Sequence, residues 1–157
     1  MLTDPAHTIT VDDLTGPAIT ALLQEHVDEL RRISPPGSSH ALDLDGLRHP
    51  AITLWTLHDG PHLLGCGALK QLTATTAEIK SMRTATTAQR RGVAATLLTH
   101  LIGEARTRGY TDLYLETGTS PFFAPARTLY TRFGFTECPP FADYRPDPHS
   151  VHLTKHL

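Results

Sequence analysis

Residues 78–107 read EIKSMRTATTAQRRGVAATLLTHLIGEART. The run divides into a strand from Glu78 to Arg83, a turn Gln89-Arg90-Arg91-Gly92-Val93-Ala94, and a helix. Apolar residues at Val93, Ala94, Leu97, Leu98, Leu101, Ile102 and Ala105 keep the i, i+3, i+4, i+7 spacing of a helix with one buried face. Arg106 and Arg108 fall in the last turn and Gly109 follows, as a helix end prefers. At the other end the first turn carries backbone N–H groups without partners and a partial positive charge. Gly92 lets the backbone approach a ligand, Ala94 and Ala95 leave room, and Arg90 and Arg91 add full charges. A helix start of this kind suits a phosphate or pyrophosphate.

Working outward, the 157 residues suit one domain, 1–157, with a proper core. A hydrophobic fraction of 39%, a charged fraction of 19% and a net charge of −2 describe a soluble globular chain and argue against a nucleic-acid partner. No apolar run is long enough to span a bilayer, and the first residues lack the basic and apolar regions of a signal peptide, so the expected location is the cytoplasm. Cys66 and Cys138 form no C-x-x-C spacing. Cys66, in LLGCGAL, reads as a small buried residue, while Cys138 precedes Pro139-Pro140 at a strand end, where a catalytic thiol is a minor alternative. The ten histidines are scattered, and His149-x-x-His152 lacks a third ligand at useful spacing, so no metal is expected.

Upstream, His7–Asp12 alternates as an edge or second strand. Pro17 opens a helix whose buried stripe is Ile19, Leu22, Leu23, Val27, Leu30 and Ile33, and the helix stops before Ser34-Pro35-Pro36-Gly37. A short helical turn over Leu42–Leu47 takes Asp43 as its cap. Ile52–Leu57 and Leu63–Leu72 flank Asp59-Gly60 as a hairpin, and Thr76–Arg83 adds the next strand. Downstream, Asp112–Glu116 is a strand reached by a helical crossover, hence parallel to the Glu78 strand. Pro125 starts a helix that runs to Phe133 and is stopped by Gly134. Phe135–Cys138 and Val151–Lys155 are the closing strands, separated by the loop PPFADYRPDPHS.

Two patterns in this order carry a resemblance. The turn Q-x-x-G-x-A at Gln89–Ala94 resembles the acyl-CoA-binding signature of the GCN5-related N-acetyltransferases, the GNAT superfamily. Ala126, Leu129, Tyr130, Gly134 and Phe135 match the A-x-x-L-Y-x-x-x-G-F run that these enzymes carry after the fifth strand. More narrowly, K-S-M-R-T, L-E-T-G, F-x-P-A-R-x-L-Y, C-x-P-F-A-D-Y and D-P-x-S-V resemble the YsnE-like branch of small bacterial acetyltransferases, for which the family supplies no firm substrate. The resemblance spans nearly the whole chain. It implies an α/β GNAT fold: a mixed, mostly antiparallel, twisted sheet of six to seven strands flanked by about four helices. One departure stands out: many members place Asn seven residues before the tyrosine, touching the cofactor, where this chain has Phe123.

The resemblance implies an acetyl-CoA-dependent N-acetyltransferase with acetyl-CoA as co-substrate. Acyl transfer to an amine needs a held thioester, a deprotonated amine, a stabilised oxyanion and a proton for the thiolate. The pyrophosphate would lie on the backbone N–H groups of Arg90, Arg91, Gly92, Val93, Ala94 and Ala95, with Gln89 a further cofactor-binding residue of the turn. The pantetheine arm would pair with Met82, Arg83 and Thr84 as an added strand, with a backbone N–H there polarising the carbonyl. Tyr130 matches the tyrosine that protonates the departing thiolate; its bland alternative is packing. Glu78 stands where GCN5-type enzymes place their general base, acting directly or through water, and Glu116 at the end of the next strand is the competing carboxylate. Arg127 could meet a phosphate but more simply covers the helix surface.

The acceptor is expected to be a small amine or amino-acid-like molecule, with Glu116, Asp143 and Tyr144 as substrate contacts. Aromatic faces and Asp143 would favour a cation, although Asp143 and Asp147 also read as turn residues beside prolines, and Arg31, Arg32 and Arg145 could hold a carboxylate. Two alternatives remain: an acyl-CoA-binding module without turnover, and a transferase acting on protein amines. Neither nucleic acid nor membrane is an expected partner, and a homodimer stays open.

Overall fold

The structure is a computed structural model and describes residues 6–157. A seven-stranded sheet in the order β1-β2-β3-β4-β5-β7-β6 forms the frame. Its strands are β1 (His7–Val11), β2 (Ile52–Asp59), β3 (His62–Gln71), β4 (Thr76–Thr84), β5 (Asp112–Gly118), β6 (Thr136–Cys138) and β7 (Ser150–His156). Four helices cover it: α1 (Pro17–Ile33), α2 (Leu44–Leu47), α3 (Val93–Thr107) and α4 (Ala124–Arg132). Only β4 and β5 pair parallel; every other neighbouring pair is antiparallel. This is the mixed sheet with four helices implied by the resemblance.

Local signals place the boundaries. Pro17 occupies the first turn of α1, and Asp43 caps α2 by accepting the Gly46 N–H at 2.8 Å. Gly60 turns the β2–β3 hairpin at φ 55°. Gly109 ends α3 at φ 83°, as does Gly134 after α4 at φ 90°.

Alternation along the strands splits the core into two layers. Leu54, Cys66 and Ala68 face α1 and α2, where they meet Leu14, Ile19, Leu22, Leu23 and Leu47. Their neighbours Trp55 and Leu69 face the other way, with Leu98, Leu101, Leu113, Phe135 and Leu153 under α3 and α4. The first layer takes Ile19, Leu22 and Leu23 of the stripe expected on α1; Val27 is buried as well, and Leu30 and Ile33 are half-buried. Cys66 is fully buried, with its thiol pushed up to about 12 by burial, and its S–H donates to the Ser81 carbonyl. Burial also raises the half-buried Cys138 thiol, the opposite of what a nucleophilic cysteine needs. Among the described residues no cluster of His, Cys, Asp and Glu could hold a metal, and no helix is long and apolar enough to cross a membrane.

Two irregularities shape the middle of the sheet. Cys66 pairs with Arg83 but Ala68 pairs with Lys80, so β4 carries an extra residue opposite Gly67, with Ser81 at φ 55°. A bulge of this kind bends the strand and breaks its ladder. Glycines on β3 admit α3 closely at the same level: a Cβ at Gly65 would lie 2.7 Å from the Arg83 carbonyl and 2.8 Å from Val93 Cγ1.

The Gly65→Ala substitution should therefore overpack the seat of α3 and cost about 1–3 kcal/mol. At this chain length that is a fall of about 2–4 °C in Tm per kcal/mol. A thermal melt with an unchanged midpoint would show that α3 does not depend on this close approach.

Candidate active site

The site begins where β4 and β5 part. They pair at three positions only, Thr76 with Asp112, Ala77 with Leu113 and Glu78 with Tyr114. From Ile79 onward β4 has no strand on its β5 side. A cavity of about 800 Å³ opens along this divergence, lined by Glu78, Lys80, Met82, Arg83 and Thr84 of β4 and by Glu116, Thr117 and Gly118 of β5. It runs from the start of α3 to the loops that follow α1 and β6.

At the α3 end the backbone is set by two left-handed residues, Arg90 at φ 64° and Gly92 at φ 80°. Gly92 is the cap residue of α3, and no side chain caps the helix. The helical ladder starts with Thr96 N–H on the Gly92 carbonyl at 3.0 Å, which leaves the N–H groups of Val93, Ala94 and Ala95 without helical acceptors. Gln89, Arg90, Gly92, Val93, Ala94 and Ala95 all line the cavity. The Val93 side chain itself is buried in the core, so only its backbone is presented. Arg91 is exposed outside the lining, with Nη2 3.9 Å from Asp59 at the tip of the β2–β3 hairpin. The turn thus offers oriented N–H groups and a guanidinium to an anion.

Midway, Tyr130 reaches the cavity from α4 and is 7% exposed. Burial raises its phenol well above the usual tyrosine value, and the nearby Glu116 carboxyl raises it further, so the hydroxyl stays protonated over the physiological range. Phe123 stands where the resemblance expects Asn. Its ring lies against Gly118, where a Cβ would fall 2.2 Å from the ring carbons, so the aromatic side chain depends on glycine at that point. Arg127 turns inward: Nη1 donates to the carbonyls of Gly118 at 2.7 Å and Ser120 at 3.0 Å, clamping the turn before α4.

At the far end, β4 presents Glu78 and Lys80, two residues apart and so on one face. Glu78 is 2% exposed. Its Oε2 accepts the Tyr144 hydroxyl at 2.6 Å and the Lys80 ammonium at 3.2 Å, and Lys80 also donates to the Tyr144 oxygen at 2.9 Å. Glu116 on β5 is half-buried. Burial pushes its carboxyl up to about 7; Ser150 and Lys80 oppose this, and Glu78 and Asp147 add to it. Two carboxylates in one cleft therefore differ: Glu78 is held by two donors, while Glu116 titrates near neutrality. Tyr144 packs on His40, Phe141 and His152 with ring centroids 5.0, 5.0 and 5.3 Å apart. Ser38 in the loop after α1 donates to Asp147 at 2.6 Å, tying that loop to the one before β7.

The structure thus brings Glu78, Glu116, Tyr130, Tyr144 and the turn residues 89, 90 and 92–95 onto one cavity, and leaves Arg91 off it. It does not bring Asp143 there; that residue is exposed and off the lining. Arg83 does line the cavity, but its guanidinium is committed elsewhere: Nη2 donates to Glu25 at 2.7 Å, and Nη1 and Nη2 donate to Glu29 at 3.2 and 3.3 Å. Both terminal nitrogens are thus taken, and Nε is buried without a partner. Sequence reasoning missed Lys80, His40 and His26. Alternation of Glu78 and Lys80 on one strand face was the available signal for the first.

The profile of the acetyltransferase (GNAT) family matches residues 19–135. The chain is 52% identical over 149 residues to YsnE of Bacillus subtilis (strain 168), covering 95% of this chain and 99% of that one. It is 49% identical over 147 residues to YedL of Escherichia coli (strain K12), covering 94% and 92%. Both relatives are described as uncharacterized N-acetyltransferases. In fold it is similar to a GNAT family acetyltransferase from Elizabethkingia anophelis with acetyl-CoA bound, at TM-score 0.69 and 20% identity, covering 98% of this chain and 100% of that one.

Glu116 has a direct consequence for stability. A carboxyl whose folded-state value is raised takes up a proton more readily folded than unfolded, so stability falls as pH rises from the unfolded value through about 7. Glu116→Gln removes this loss. The variant should gain stability relative to the parent between pH 5 and pH 8, read as a Tm difference that grows with pH. A difference independent of pH would place Glu116 in a solvated setting.

Proposed function

The chain belongs to the acetyltransferase (GNAT) family and is an acyltransferase; from that premise we propose that it moves an acetyl group from acetyl-CoA to the amine of a small, amino-acid-like molecule. The observation that carries this reading is the single cavity that joins the α3 turn, the unpaired edge of β4, Tyr130 and the carboxylates. The donor reading also draws on the fold relative that holds acetyl-CoA.

Bound acetyl-CoA would supply an activated thioester. The N–H groups of Val93, Ala94 and Ala95, with Arg90, would hold its pyrophosphate, while Arg91 stays outside the lining beside Asp59. The unpaired backbone of Met82, Arg83 and Thr84 would hold the arm as a strand would, leaving an N–H to face the carbonyl oxygen. Glu116 is the better base: it titrates near neutrality and takes the amine proton, directly or through water. Glu78, occupied by Lys80 and Tyr144, orients this end of the cleft. Tyr130 keeps its proton until it is given to the departing sulfur. The balance is complete: the amine nitrogen gains the acyl carbon, the carbon–sulfur bond breaks, and the proton lost to Glu116 is matched by the one Tyr130 gives.

A small acceptor is favoured over a protein chain by the Ser38–Asp147 tie, which joins the two loops that flank this end of the cavity. The location is read as the cytoplasm.

Free thiol release from acetyl-CoA across a panel of small amines and peptides tests the assignment, and release with peptides alone would overturn it. Gly92→Glu, which strains a left-handed residue and sets a negative charge beside the turn, should abolish calorimetric binding of acetyl-CoA in a folded protein. Tyr130→Phe should lower the single-turnover rate by ~10²–10⁴-fold with acetyl-CoA affinity nearly kept. A parent-like rate would return Tyr130 to packing.

A further inference from the structure

Lys80 is 9% exposed along its side chain, yet it lines the cavity. An ammonium has three N–H donors. One reaches Glu78 at 3.2 Å and one reaches Tyr144 at 2.9 Å. The third has no acceptor among the described residues. Such a donor in a nearly buried setting seeks an oxygen, and a charge-assisted bond to an anionic oxygen is the strong form. The neighbours agree with this. Glu78 is already matched by Lys80 and Tyr144, so it does not repel an incoming anion as a bare carboxylate would. His40 also lines the cavity, against the Tyr144 ring. Glu116 lies on the opposite strand and is close enough for Lys80 to draw its proton affinity down.

Resting on the transferase reading above, we propose that Lys80 is the acceptor-selecting residue and that the acceptor carries a carboxylate close to its amine, as a free amino acid does. The carboxylate takes the third N–H of Lys80. The amine then lies toward Glu116, which removes its proton. Lys80 thereby acts through binding, and its loss raises KM for the acceptor while leaving KM for acetyl-CoA alone.

The test compares free amino acids with the amines left when their α-carboxyl groups are removed, such as tyrosine with tyramine and leucine with isopentylamine, by thiol release with the intact protein. The amino acids should exceed their partners in kcat/KM by ~10–100-fold, the range a charge-assisted bond gives. Lys80→Met should collapse that ratio toward one. Because this variant strands the buried Glu78 carboxylate, the double variant Glu78→Gln with Lys80→Met is run beside it, with calorimetric acetyl-CoA affinity as the check on folding. Equal or faster release with the decarboxylated amines, or a double variant that keeps the parent's preference, overturns the proposal and leaves the transferase reading standing. Release with neither set overturns both.

Discussion

Two parallel strands that separate after three residue pairs set the terms for the rest of this molecule. A strand edge inside a protein exposes N–H and C=O groups that must find partners. Here β4 loses its neighbour at Ile79 and β5 loses its own after Tyr114. Around that opening the chain is arranged to keep it open. The bulge at Ser81 turns β4 away, glycines on β3 seat α3 behind it, and the Arg127 clamp on Gly118 and Ser120 fixes the turn from which α4 presents Tyr130. The gap is thus a built feature of the sheet, walled on both sides by strand.

The electrostatics follow from the same opening. Charges brought to a cleft wall lose water, so each needs a partner or a change in proton affinity. Arg83 solves this by reaching to Glu25 and Glu29, which also fastens α1 to β4. Glu78 solves it with Lys80 and Tyr144. For Glu116 burial outweighs Ser150 and Lys80, and it holds its proton to about 7. His26, buried in α1 next to Arg83, drops to about 4 and stays neutral at pH 7. Glu116, whose carboxyl burial raises toward neutrality, lines the cavity.

Much of this was legible in the sequence because it is local. Gly92 before a periodic helix, Asp59-Gly60 between alternating runs and Gly134 after an amphipathic stretch each act through their own backbone. The bulge at Ser81 was not legible, since it is a property of register between β3 and β4 and no residue type announces it. Arg83 read as a cofactor neighbour by position, and its backbone does line the cavity. Its side chain, however, answers to two glutamates more than fifty residues away. Asp143 and Tyr144 read alike as acceptor contacts. Adjacent residues in an irregular loop point apart, and only Tyr144 is aimed inward, so composition could not separate them. Lys80 escaped notice because Glu-x-Lys on a strand ordinarily marks a solvated surface pair.

The loop that carries Tyr144 has no regular structure, yet its conformation is closely determined. Pro139, Pro140, Pro146 and Pro148 narrow the choices of the unfolded chain, which lowers the entropy lost when the loop is ordered. Tyr144 N–H closes a turn on the Phe141 carbonyl at 3.0 Å, with Ala142 between them in the left-handed region at φ 51°. That conformation costs about 1–2 kcal/mol for a residue with a Cβ. The strain is offset by what it positions: the Tyr144 ring among Phe141, His40 and His152, and its hydroxyl 2.6 Å from Glu78. Asp147 then fixes the other end by accepting from Ser38 and from the His149 N–H at 2.9 Å. A wall held this way needs little ordering when a ligand arrives, so binding energy is kept for discrimination among acceptors. The same rigidity reaches β4, because moving Tyr144 would take one partner from Lys80 and one from Glu78 and leave them their mutual bond at 3.2 Å.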